Sequence, residues 1–372
     1  MPRRVLSGVL VLLLAALAAP PSPPSHAQPL VDHVVIVTLD GLRIEEMFGG
    51  LDAAILQSTL GKDKKIEETE AWRRFGAATP EARRERLMPF FWTTLMTAHG
   101  SIAGDPARAS RVRITNRHRF SYPGYAELLA GFARDEVIDS NDDRQNPNPT
   151  VLEFLKDRLR LTSQQVGVFA SWGTFNFIAE HTPGAIAINA GFEPYDHPDA
   201  AIRALGVAQR ETPPSWEGAR YDYYTFRFAM AHLATHRPRV LVIAFDETDD
   251  WAHQGRYDRL LDAINRSDAY LRELWTWLQA DPEYRGRTAL LVTTDHGRGR
   301  TAKDWGDHGD DVEGAQDVWM AFASPDVARR GEWADHAPLT TSQVAATVSR
   351  WLGVDYVAAH PEAGSPIEWP PR

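Results

Sequence analysis

The chain has 372 residues, 43% of them hydrophobic, enough for one large domain with a sizeable core. It contains no cysteine, which excludes disulfides and thiolate metal sites, so any metal must sit on oxygen and imidazole. The formal charge is −10, or −12 without Arg3 and Arg4 (−10 − 2), which argues against broad nucleic-acid binding through phosphates but not against a small anion held by local positive charge.

At the N-terminus, "MPRRVLSGVLVLLLAALAAPPSPPSHAQ" sets Arg3 and Arg4 before an apolar stretch from Val5 to Ala19, and Ser25 and Ala27 follow at positions suited to signal peptidase. The stretch is shorter than the about 20 apolar residues that span a bilayer, so residues 1–27 read as a removable signal peptide. The mature chain is then expected to begin near Gln28 and to be exported, periplasmic or secreted, with no membrane span left after cleavage.

The first strand signal, "HVVIVTLDG" at 33–41, stops on Asp40. From Leu42 to Arg119 the character changes, with the charge-dense "GKDKKIEETEAWRRFG" and "PEARRERLMPFFW". Such runs are first of all solvated helix faces, and 42–118 is also a candidate lid or cap, as is the Pro-, Trp- and Tyr-rich 192–225. In "NRHRFSYPGYAELLAGF", 116–132, Ser121 precedes Pro123, Gly124 and a helix-like stretch, Tyr125 to Leu129, that ends at Gly131. A hydroxyl there stands at a helix N-terminus, where N–H groups and the dipole favour an anion; the plainer reading is an N-cap serine. No Gly-x-Ser-x-Gly elbow surrounds it, so activation by a metal fits better than a His–Asp pair.

Three more apolar runs follow: "QVGVFASWG" (165–173), "PRVLVIAFD" (238–246) and "TALLVTTDHG" (288–297). Near-continuous apolar strands point to a sheet covered on both faces. Between the last two, Leu261, Ile264, Leu271, Leu274 and Leu278 recur at helical spacing, and "TSQVAATVSRWLG" opens on possible caps Thr341 and Ser342 and stops at Gly353. The alternation is that of an α/β protein.

Three of the four strand signals end on acid. In open α/β sheets ligands collect at the carboxyl ends of strands, so Asp40, the 246–249 region and Asp295 with His296 are expected to converge. In "FDETDDWAHQG" Asp249 and His253 are one helical turn apart and share a face, although Asp246 and Asp250 are rival ligands. A further histidine, His308, stands in "DWGDHGDDVEGAQDVWMAF".

The ordered motifs "VTLDGLR", "FSYPGYAELLAG", "DETDDWAHQG", "TTDHG" and "DHG" resemble the alkaline phosphatase superfamily, closest to its type I phosphodiesterase/nucleotide pyrophosphatase branch, over essentially the whole mature chain. The resemblance implies an alkaline phosphatase-like fold, a largely parallel central sheet between helical layers. It further implies that Asp40, Ser121, Asp295 and His296 surround one divalent metal and that Asp249, His253 and His308 hold another. The ions are usually zinc, in some members manganese. Ser121 would carry a phosphoseryl intermediate, and Asn141 would contact a phosphoryl oxygen, with Asn146 and Asn148 close by as alternatives.

Serine stands where many diesterases of that branch have threonine, so monoester and diester substrates are both open. In "SYPGY" a tyrosine occupies the place of the arginine that sulfatases require, so a sulfatase is not expected. The implied activity is hydrolysis of a small phosphorylated substrate. Its rivals are a phosphonate hydrolase or phosphotransferase on the same site and, less favoured, a noncatalytic binding protein of the same fold.

Overall fold

The four apolar runs form strands in a computed structural model that describes residues 29–325, 329 and 331–368; the expected signal peptide lies outside the described residues. In chain order the strands are β1 (His33–Leu39), β2 (Gly100–Ala103), β3 (Val112–Arg113), β4 (Val166–Ala170), β5 (Ala187–Ala190), β6 (Val240–Phe245), β7 (Thr288–Thr293), β8 (Asp317–Val318), β9 (Met320–Ala323), β10 (Gly331–Glu332) and β11 (Leu339–Thr340). Eight of them build one sheet in the order β10-β2-β9-β7-β1-β6-β4-β5, and β11-β3-β8 make a small second one. β7, β1, β6, β4 and β5 are mutually parallel, and β9 runs against both its neighbours.

The central strands bury both faces, which is why they read as unbroken apolar runs. Along β1, Val35, Val37 and Leu39 enter one core with Leu241, Ile243 and Phe245 of β6, while Val34 and Ile36 enter the other with Val240, Val242 and Ala244. The helix Tyr257–Ala280 covers the first face with Leu260, Leu261, Ile264, Leu271, Leu274 and Leu278. The helices Ser121–Ala130, Val151–Arg158 and Val344–Trp351 cover the second.

Much of 42–103 belongs to this framework. Met47, Leu51, Ile55, Phe75, Leu87 and Phe91 are buried in the first core, and the segment ends as β2 inside the main sheet. The charged residues of 61–86 are its solvated outer face, as charge runs on core helices usually are. The segment 192–225 is not wholly irregular either: Ala200–Glu211 is a helix capped by Asp199, and Ile202, Leu205 and Ala208 pack on the core. The C-terminal helix starts slightly differently from expectation. Thr340, one residue earlier than Thr341, forms the capping box with Gln343 over a short 3₁₀ turn, because the Thr341 hydroxyl is taken by Glu127.

Candidate active site

Parallel register fixes which residues meet. Leu39 pairs with Phe245 and Thr38 with Thr293, so the residues that follow, Asp40, Asp246 and Thr294 to His296, leave the sheet at one edge. There Asp40, Asp295 and His296 converge, all three fully buried, with ligand atoms within 4.8 Å of one another. The Nε2 of His296 lies 3.4 Å from Asp40 Oδ1 and 3.6 Å from Asp295 Oδ2. Its other nitrogen, Nδ1, is 2.8 Å from the Gly297 carbonyl, which orients the ring and, in its neutral form, leaves the lone pair on Nε2. Asp295 is held from the far side by the Gly41 N–H at 3.1 Å.

A second trio, Asp249, His253 and His308, lies beside the first. The helix Glu247–His253 brings Asp249 and His253 to one face, 3.1 Å apart, as the four-residue spacing requires, and His253 and His308 approach nitrogen to nitrogen at 3.0 Å. Asp249 Oδ1 is also 3.7 Å from His296 Nε2, which joins the two trios. The rivals Asp246 and Asp250 belong to neither trio; burial, then the neighbouring Asp250, raises Asp246 well above the ordinary carboxylate range.

Ser121 is the first residue of its helix rather than the cap, which is Phe120 and makes no side-chain cap bond. Its hydroxyl is 3.4 Å from His296 Nε2, within the first trio. Pro123 has no N–H, and the Tyr122 N–H goes to Asn141 Oδ1 at 2.9 Å. Asn141 is thereby tied beside the serine with its amide NH₂ as the remaining donor end. Asn146 and Asn148 are buried elsewhere; Asn146 binds the Ile178 carbonyl and accepts the Asn148 N–H.

The electrostatics follow from crowding acids in a dry place. Burial, then the neighbouring Asp40, pushes Asp295 up to about 7. Burial alone would lower His296, but Asp295 and Asp40 outweigh it and raise the ring to about 9. Burial and the proximity of His296 hold His253 and His308 below the usual histidine range, so both offer neutral rings.

Gly124 lets the serine helix reach this edge. A Cβ there would fall 2.5 Å from the Asp295 carbonyl oxygen, backbone that cannot swing aside. Gly124→Ala should therefore push Ser121 away from the trio and lower turnover roughly 10- to 100-fold, the cost of misplacement on the order of 1 Å. Its stability should change less, because about 1 kcal/mol of helix propensity gained opposes ~1–3 kcal/mol of overpacking. Steady-state kinetics beside a thermal melt check this, and undiminished turnover would contradict it.

Sequence reading missed two supports. Glu127, fully buried, accepts the N–H groups of Thr115 and Asn116, the Asn116 amide and the Thr341 hydroxyl. Asn116 in turn accepts from the N–H of Arg119, which lies two residues before Ser121 with φ of 57°. Arg298 is the other, 1% exposed and ion-paired with Asp249. The available signals were a glutamate on the apolar face of "YAELLAG" and an arginine directly after "DHG".

No family model and no curated protein matches the chain. Solved structures do. The wild-type alkaline phosphatase PafA matches with a TM-score of 0.56 at 11% identity, over 94% of this chain and 99% of that one. The lipoteichoic acid synthase LtaP from Listeria monocytogenes matches at 0.55 and 10%, over 92% and 76%. A 2-O GAG sulfatase, BT1596, matches at 0.54 and 12%, over 91% and 73%. The largely parallel sheet between helical layers, with its acidic carboxyl edge, is thus the alkaline phosphatase-like fold.

Proposed function

We propose that the chain is an exported, two-metal hydrolase of phosphoric esters that works through a phosphoseryl intermediate on Ser121. The observation that carries this reading is a helix-N-terminal serine hydroxyl 3.4 Å from the imidazole of one Asp/Asp/His trio, with an Asp/His/His trio adjoining it.

The donors suit divalent cations. Asp40 Oδ1 and Asp295 Oδ2 are buried without any hydrogen-bond partner, an arrangement that costs free energy unless something positive is shared between them. Carboxylate oxygen and neutral imidazole, with no thiolate, are the ligands zinc or manganese takes. Asp40, Ser121, Asp295 and His296 would hold one ion and Asp249, His253 and His308 the other. Bound there, the pair would neutralise charge on the attacking and leaving oxygens of an in-line displacement.

The chain's own groups do the rest. Ser121 Oγ attacks phosphorus as the P–O bond to the leaving group breaks, and water later cleaves the phosphoseryl bond. The positive end of the helix dipole at Ser121 and the Asn141 NH₂ hold the phosphoryl oxygens. The tyrosine in "SYPGY" argues against a sulfate ester, despite the sulfatase among the similar structures. The test is turnover of nitrophenyl phosphate, bis-nitrophenyl phosphate, nitrophenyl phosphonate and nitrophenyl sulfate, with zinc or manganese and after chelation. Metal-dependent hydrolysis of a phosphoric ester is expected; hydrolysis confined to the sulfate or phosphonate, or indifferent to chelation, would overturn the reading.

Metal loading should depend on pH in a stated direction. The metal-free folded chain holds protons on Asp295 up to about 7 and on His296 up to about 9, and a cation must expel both. Both pKa values lie above their ordinary values of 3.8 and 6.5, so their contributions favour the metal-free fold at low pH and are lost as pH rises through about 7 and about 9. Melting curves should show the chelated protein weakening from about pH 5 to pH 9 while the gain on adding zinc grows. A zinc gain that shrinks as pH rises would contradict the assignment.

Export rests on the Arg-then-apolar leader and Ser25-x-Ala27. N-terminal sequencing of the exported protein is expected to begin near Gln28; a chain that still starts at Met1 would contradict cleavage and favour a retained N-terminal anchor.

A further inference from the structure

The two trios differ in charge, and Arg298 is the reason. Asp40 and Asp295 give the first trio two carboxylates, each with a buried oxygen that accepts no hydrogen bond and faces the His296 ring rather than a permanent cation. The second has one carboxylate, Asp249, and its Oδ1 is already ion-paired with the Arg298 guanidinium. Once a cation has expelled the protons of Asp295 and His296, the ligands of the first trio carry −2, and those of the second, counting Arg298, carry zero.

Arg298 is seated rather than free to swing. Its Nη1 donates to the Gly306 carbonyl at 2.6 Å and its Nη2 approaches the Asp249 carbonyl at 3.3 Å. Beneath it Gly41 has φ of 57°, and a Cβ there would lie 2.7 Å from Arg298 Nε and 2.9 Å from Asp249 Oδ1, so only glycine leaves room for the pair. The arginine comes directly after the "DHG" that supplies Asp295 and His296, so the strand end that builds the first trio also places a cation against the second.

We propose that Arg298 is a resident counter-cation of Asp249 that makes Asp249–His253–His308 the weaker of the two metal sites, so that the chain loads its ions in order, Asp40–Asp295–His296 first. This rests on the reading of the two trios as metal sites. A divalent ion entering the second trio must share Asp249 with a guanidinium and meet its positive charge. Like charges a few ångströms apart repel by more than a tenfold factor in binding even at an effective dielectric near 20.

The test is a cobalt titration of the chelated, full mature protein, read by the visible absorption of bound Co²⁺ and by equilibrium dialysis. Wild-type protein should bind two ions with dissociation constants at least about tenfold apart. Asp295→Asn should weaken the tighter step and His253→Ala the weaker. Arg298→Met, which removes the charge and keeps the bulk, should tighten the weaker step about tenfold or more and change the other, where Arg298 makes no ion pair but acts on Asp40 through space, by less. Arg298→Lys should keep the wild-type order. Circular dichroism checks folding, and Arg298→Gln replaces the Met variant if that one unfolds. Two equal sites in the wild type, or a weaker step that neither uncharged variant tightens, would overturn the role of Arg298 while leaving the two-metal reading intact. A wild-type protein that binds no cobalt would overturn both.

Discussion

Ser121→Ala should lower turnover of a phosphoric ester by roughly a thousandfold or more while both metals stay largely bound. The serine supplies the attacking oxygen, and losing it removes the covalent route altogether. Six side chains, Asp40, Asp249, His253, Asp295, His296 and His308, remain as ligands, so metal content by elemental analysis should change little. The fold should survive too, because the hydroxyl caps nothing: Phe120 is the N-cap, and Ser121 Oγ faces His296. Residual activity from the charged site is expected. Full activity in the alanine variant would mean direct attack by water and remove the phosphoseryl intermediate.

Asp295→Asn should abolish tight binding at the first trio. The substitution preserves size and removes the negative charge, and an ion between buried ligands needs that charge to offset its lost hydration. Losses of about 10- to 100-fold in affinity accompany even outer-shell changes at metal sites, so a direct ligand should cost at least that. The metal-free variant should be as stable as the wild type or more so at neutral pH. Its neutral amide avoids the burial that pushes the Asp295 carboxyl up to about 7, and it can still accept the Gly41 N–H. A turn or cap aspartate would behave otherwise, since asparagine caps about equally well and nothing would change. His253→Ala should spare the first trio and empty the second. Unaltered metal content and turnover in Asp295→Asn would take that residue out of the site.

The strands that build the site were legible because they are buried on both faces, so β1, β4, β6 and β7 read as continuous apolar runs ending in polar residues. Helical spacing likewise gave the Tyr257–Ala280 helix and the shared face of Asp249 and His253. β2, β5 and β9 were not legible. Each is four residues long, too short for a period to show, and β2 reads "GSIA". The 42–103 layer was obscured because its short helices bury a few apolar residues each and carry dense charge outside. Glu127 and Arg298 escaped for a related reason. Charged residues are rarely fully buried, and it takes partners that the fold brings in, Thr115, Asn116 and Thr341 for one and Asp249 and Gly306 for the other, to make burial tolerable here.

The most direct measurement is mass spectrometry of the protein acid-quenched during turnover of a phosphoric ester, with the peptide containing Ser121 isolated. One added phosphoryl group on Ser121, absent in the Ser121→Ala protein and dependent on divalent metal, is the predicted result. Steady turnover with no phosphorylated serine, or with the phosphoryl group on another residue, would contradict it.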